Sequence, residues 1–66
     1  MSSEQNPSLV KLLREAYRAV RASSEAIERA RTTSAEDLRT AFLLLAEDNL
    51  KRALDSIAQA GLKLKR

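Results

Sequence analysis

The sequence predicts an all-α fold, an antiparallel hairpin of two long helices. Three observations carry it. Apolar and small residues recur at helical spacing from Leu9 onward, a polar break falls at Thr32-Thr33-Ser34, and six apolar residues in a row, Ala41-Phe42-Leu43-Leu44-Leu45-Ala46, sit inside the second periodic stretch. That run needs cover on more than one side, yet it falls far short of the roughly 20 residues that cross a bilayer. It reads as the centre of a soluble helical assembly.

The first helix opens at Asn6-Pro7, where the Asn side chain can cap free backbone N–H groups and proline at the first helical position needs no donor. Ser8 is the alternative cap, and Met1 to Gln5 are polar and expected to fray. Leu9, Leu13, Ala16, Val20, Ser23, Ile27 and Ala30 follow at alternating steps of four and three, the heptad seam of a helix packing nearly parallel to its neighbours. Ser23-Ser24 could open a separate helix, but a break there would leave a middle helix of about eight residues, too short to persist without strong packing. One helix from Pro7 to about Arg31 is therefore expected. Val10 and Tyr17 flank one side of its seam and Leu12, Ala19 and Ala26 the other, a face wide enough for two neighbours.

Ser34-Ala35-Glu36-Asp37 supplies a capping box for the second helix. A link of about three residues, 32–34, forces that helix to return antiparallel beside the first. It is expected from Ala35 to about Ala60, with Gly61 in the left-handed conformation that closes a helix, Leu62 folding back, and a basic tail over 61–66. Phe42, Leu43, Ala46, Leu50, Ala53, Leu54, Ile57 and Ala60 make one stripe for the first helix and a partner. Leu38, Ala41, Leu44 and Leu45 fall outside it, as a second apolar patch that an isolated hairpin has nothing to cover with.

A chain of 66 residues forms one small domain whose lone core is marginal, and oligomerisation is the remedy open to it. Hydrophobic residues make up 44% and charged residues 32%, with eleven alanines, one Gly and one Pro, the balance of a folded helical domain rather than a disordered segment. Without cysteine or histidine there is no thiolate site and no near-neutral proton carrier, which removes most metalloenzyme and general-base chemistry. The start of the chain has neither a basic segment nor an apolar stretch of signal-peptide type, so the expected location is cytoplasmic.

Each functional signal has a plainer reading beside it. Lys11, Arg14, Arg18 and Arg21 line one helical face at steps of three and four and could contact phosphates of nucleic acid or an acidic membrane surface, although no membrane partner is expected. The plainer reading is the solvated back of an amphipathic helix, and it is preferred. The stripe turns acidic at Glu25 and Glu28, and the two aromatics, Tyr17 and Phe42, fall on stripes expected to face the core, where they offer no base-stacking platform. Glu15, Glu25, Glu28, Glu47 and Asp48 sit at polar edges rather than in a bundle interior where acids could share a metal, and Glu47–Lys51 and Asp48–Arg52 read as surface pairs. No Gly-rich phosphate loop or nucleophile motif is present, so no enzyme, cofactor, metal or small-molecule substrate is expected.

The length and two-helix layout resemble the plasmid-encoded Rop-type RNA-binding hairpins, which dimerise into antiparallel four-helix bundles. The resemblance is one of architecture and brings no residue motif. The tidy caps, unbroken heptads and lack of Cys, His and Trp also suit a computationally designed protein, while the Arg- and Ala-rich surface suits a small bacterial one.

The expected unit is thus a homodimeric four-helix bundle, a non-enzymatic interaction module with Leu12, Ala19, Leu38, Ala41, Phe42, Leu44 and Leu45 at the subunit interface. Charge gives it a direction. Lys11, Arg14, Arg18, Arg21, Arg52, Lys63, Lys65 and Arg66 gather at the open end, and Glu25, Glu28, Glu36, Asp37, Glu47 and Asp48 at the loop end, diluted by Arg29, Arg31 and Arg39. Loops at opposite ends would set basic beside acidic, so an antiparallel dimer is expected. The competing readings are a nucleic-acid-binding hairpin dimer that uses the basic stripe, and a monomeric hairpin that offers its uncovered patch to another protein.

Overall fold

The computed structural model describes residues 7–64, as two α-helices, α1 (Pro7–Thr32) and α2 (Glu36–Leu64), packed against each other as a hairpin. The roles given to Met1 to Gln5, to the Asn6 cap and to Lys65 and Arg66 lie outside the described residues. The molecule measures 52 × 17 × 11 Å along its principal axes, and the described residues form one layer of two helices, with no third layer among them on either broad face.

Between the helices lies a seam of small side chains. The buried residues are Ala16, Ser23, Ala26 and Ala30 on α1 and Ala46, Ala53 and Ala60 on α2, with Leu9, Leu12 and Ala19 on α1 and Phe42, Asn49 and Ser56 on α2 half-buried. Along α1 the inward residues run Leu9, Leu12, Ala16, Ala19, Ser23, Ala26, Ala30, at alternating steps of three and four. The expected ladder through Leu13, Val20 and Ile27 shares Leu9, Ala16, Ser23 and Ala30 but is corrected at the other rungs: those three large residues are exposed, and Leu12, Ala19 and Ala26 take their places. Ser23 is 1% exposed, and its Oγ donates to the Ala46 carbonyl oxygen at 3.1 Å. A hydroxyl on so short a side chain reaches the neighbouring backbone only where two helices lie close, and small residues along the seam permit that approach.

The connection is Thr33-Ser34-Ala35, one residue later than the sequence suggests, within the usual ambiguity of helix ends. The Thr33 amide closes α1 on the Arg29 carbonyl at 3.1 Å, and Thr32 Oγ1 donates to the Glu28 carbonyl at 3.1 Å. The expected capping box on Ser34 is corrected. Thr33 Oγ1 accepts the Ala35 N–H at 3.3 Å, and the Ala35 carbonyl takes the first helical bond, from the Arg39 amide at 2.9 Å. A hydroxyl two residues before the amide it binds makes a local turn that competes with capping. Glu36 and Asp37 still occupy the first turn of α2, where negative charge favours the helix dipole.

At the other end the expected stop at Gly61 is corrected as well. The helix continues to Leu64, Gly61 has no positive φ, and Leu62 is exposed rather than folded back. Glycine permits a left-handed turn without requiring one, and its cost of about 1 kcal/mol in a helix interior is not enough to end a helix that no proline interrupts. A Cβ added at Gly61 would meet nothing within 4 Å. Gly61→Ala is therefore expected to raise stability by about 0.5–1 kcal/mol in urea unfolding, whereas loss of stability would reveal a left-handed cap. The seam gives a second test. Ser23→Ala is expected to cost about 1 kcal/mol, since the Ala46 carbonyl keeps its helical bond, while Ser23→Leu should cost more by forcing the helices apart.

Candidate interaction surface

A seven-residue step brings a helix back to within about 20° of the same direction, so Leu13, Val20 and Ile27 form one line along α1 and Leu43, Leu50 and Ile57 another along α2. Ile27 and Leu43 line a common hollow with Ala30, Arg31 and Arg39, which puts both lines on the same broad face of the hairpin. The bond from Ser23 to Ala46 and that from Arg39 to Ala30 set the register. Within about a residue, Leu13 then lies level with Ile57, Val20 with Leu50 and Ile27 with Leu43. All six are exposed, and Tyr17 and Leu54 extend the surface outward at 63% and 65% exposure. The aromatic assignment is corrected here: Tyr17 does not face the core, while Phe42 is half-buried. Arg21 lies over the Tyr17 ring, its Cζ 5.9 Å from the centroid, a cation–π contact.

The opposite broad face is polar from its middle to the open end. Glu15, Arg18, Ala19, Ala22, Asn49, Arg52, Asp55 and Ser56 line a groove along it, floored by small residues and edged by charges of both signs. Leu45 and Leu38 lie one and two heptads before Arg52 and so belong to this side of α2, with Ala41 and Leu44 turning toward its back. All four are exposed, Leu44 by 60%. The structure thus brings Leu38, Ala41, Leu44 and Leu45 together as one patch in the loop half of α2. It separates them from Leu12, Ala19 and Phe42, which are half-buried toward the seam.

Lys11, Arg14, Arg18 and Arg21 are exposed along α1, and none of the four makes an ion pair among the described residues. Lys51 pairs with Glu47 at 3.8 Å and Arg52 with Asp48 at 3.4 Å, both exposed, as their i,i+4 spacing predicts. Arg31 binds Glu28 at 2.8 Å, and that hydrogen bond, with the carboxylate's charge, holds the guanidinium more firmly protonated than usual. Among the described residues no group of three or more acidic side chains is placed to hold a metal, and no helix is long and apolar enough to cross a membrane.

One residue with a structural role escaped the sequence reading. Arg39, in the first turns of α2, donates through Nε to the Ala30 carbonyl at 3.3 Å and through Nη2 to the Thr33 carbonyl at 2.7 Å. The Ala30 carbonyl lies in the last turn of α1 and the Thr33 carbonyl just beyond it in the connection, where neither has a helical donor. The signal for it was available: an arginine one turn after a three-residue link lies beside the end of the preceding helix. No protein-family model matches the chain, and no curated protein or solved structure does so either. Arg39→Ala is expected to lower stability by about 1 kcal/mol, and Arg39→Lys to restore only part of it, since an ammonium cannot reproduce the two-pronged geometry. Full stability of Arg39→Ala in urea unfolding would show the clasp to be idle.

Proposed function

We propose that the chain is a non-enzymatic assembly module, a helical hairpin that works as a homodimeric four-helix bundle with its two loops at opposite ends. One observation carries this reading: the hairpin buries only alanine and serine, while fourteen large apolar side chains stay exposed among the described residues. Burying a leucine, isoleucine or valine is worth about 1.5–3 kcal/mol, against about 0.8 kcal/mol for a single methylene-sized group. Most of the apolar stabilisation open to this sequence is therefore available only through association.

Charge supports the direction. Lys11, Arg14, Arg18, Lys51, Arg52 and Lys63 lie in the open half with Glu15 and Asp55, while Glu25, Glu28, Glu36, Asp37, Glu47 and Asp48 lie in the loop half with Arg21, Arg29, Arg31 and Arg39. Loops together would stack like ends, and loops apart set each basic end beside an acidic one.

Light scattering at tens of micromolar is expected to give about twice the 7.3 kDa of one chain. A monomeric mass would overturn the module and favour a hairpin that binds a different protein. Direction is tested separately with Ser34→Cys, an exposed loop position in a chain without cysteine. Mild oxidation is expected to leave the dimer free of loop-to-loop disulfide, and ready formation of that bond would reverse the subunit direction.

A further inference from the structure

We infer that the second copy seats on a single surface, the three-layer ladder Leu13–Ile57, Val20–Leu50 and Ile27–Leu43, and that the Leu38–Ala41–Leu44–Leu45 patch stays outside the interface. The inference rests on the proposed self-association and assigns its surface. Extent is the first argument. The ladder draws on both helices, spans the 17 Å width of the hairpin and runs about 21 Å from Leu13 to Ile27, on a broad face that follows the 26 residues of α1 for about 39 Å at 1.5 Å per residue. A face of those dimensions is of the same order as the roughly 800 Å² per partner that a stable interface buries. The patch occupies two turns of one helix, about 11 Å of its length, and falls well short.

Regularity is the second argument. Three layers repeating every seven residues give evenly spaced ridges, which interlock with a copy of themselves as helices do in a bundle. Turned end over end about an axis through the Val20–Leu50 layer, one copy lays its Leu13–Ile57 layer over the partner's Ile27–Leu43 layer. Each α1 then runs antiparallel along its counterpart, and Arg14 comes within about a turn of the level of the partner's Glu28. The third argument is electrostatic. Seating a copy on the opposite face would bury Glu15, Arg18, Arg52 and Asp55 at the groove edges, and removing such charges from water costs several kcal/mol per ion.

The test compares masses of two double variants by light scattering. Val20→Glu with Leu50→Glu is expected to abolish the dimer, because two carboxylates would enter the central layer without partners. Leu44→Glu with Leu45→Glu is expected to leave the dimer mass unchanged. Since the first variant could lose its fold along with its partner, single cysteines give an independent readout. Val20→Cys is expected to crosslink two subunits with a short bismaleimide, and Leu44→Cys is expected not to. Loss of the dimer in the Leu44/Leu45 variant, or crosslinking through Leu44→Cys but not Val20→Cys, would overturn the assignment while leaving self-association standing. A monomeric wild-type chain would instead remove the self-association itself.

Discussion

Two helices lie close only where the side chains between them are small, and in this hairpin the buried seam is alanine and serine throughout. From that constraint the rest of the arrangement follows. Close approach leaves little room for large side chains on the line between the axes, where Leu9, Leu12 and Phe42 are only half-buried, and Leu13, Val20, Ile27, Leu43, Leu50 and Ile57 are displaced to one side of it. Ser23 fits the same logic. Its hydroxyl would be a liability in a looser interface, but here it reaches the Ala46 carbonyl and is satisfied. The seam therefore sets register and spacing while supplying little apolar burial.

The two ends of the hairpin are held by different means. At the loop the contacts are polar and specific: the Thr33 amide on Arg29, the Ala35 amide on Thr33 Oγ1, and the Arg39 guanidinium across to Ala30 and Thr33. A guanidinium at the C-terminal end of α1 also meets the negative pole of that helix. At the open end the seam finishes with the half-buried Leu9 and Leu12 beside Ala60, a contact of apolar and small side chains.

How much of this was legible in the sequence depended on which physical signal each feature left. The two helices, the short connection and the surface ion pairs followed from spacing and turn chemistry. The rotation of α1 did not. Leu9-Leu13-Ala16-Val20 and Leu9-Leu12-Ala16-Ala19 both satisfy a three-and-four rhythm, and a hydrophobicity argument prefers the larger side chains. Packing prefers the smaller ones, because a helix closely apposed along its length has no space for Val20 or Ile27. Hydrophobic periodicity reveals the whole apolar arc of a helix without saying which edge meets its own chain and which is left over. Gly61 and Ser34 failed for a related reason, since a residue type that permits a cap does not compel one.

Within the proposed dimer, apolar burial and charge do separate work, and the local pairing of charges shifts the balance between attraction and repulsion. In the loop half Glu28, Glu47 and Asp48 are already engaged with Arg31, Lys51 and Arg52 of the same helix. In the open half Lys11, Arg14 and Arg18 make no ion pair among the described residues. The acidic end is therefore partly neutralised before any partner arrives, and so is the basic end through Lys51 and Arg52, which leaves Lys11, Arg14 and Arg18 as its unpaired charges. Direction then comes less from drawing an acidic end toward a basic one than from the cost of stacking the unpaired charges of two basic ends together. An interface chosen by what it avoids has its specificity in the rejected alternative. These charges are exposed and are screened beyond about 8 Å at physiological salt, so added salt would relax the preference for direction while leaving the apolar ladder, which carries the affinity, nearly untouched.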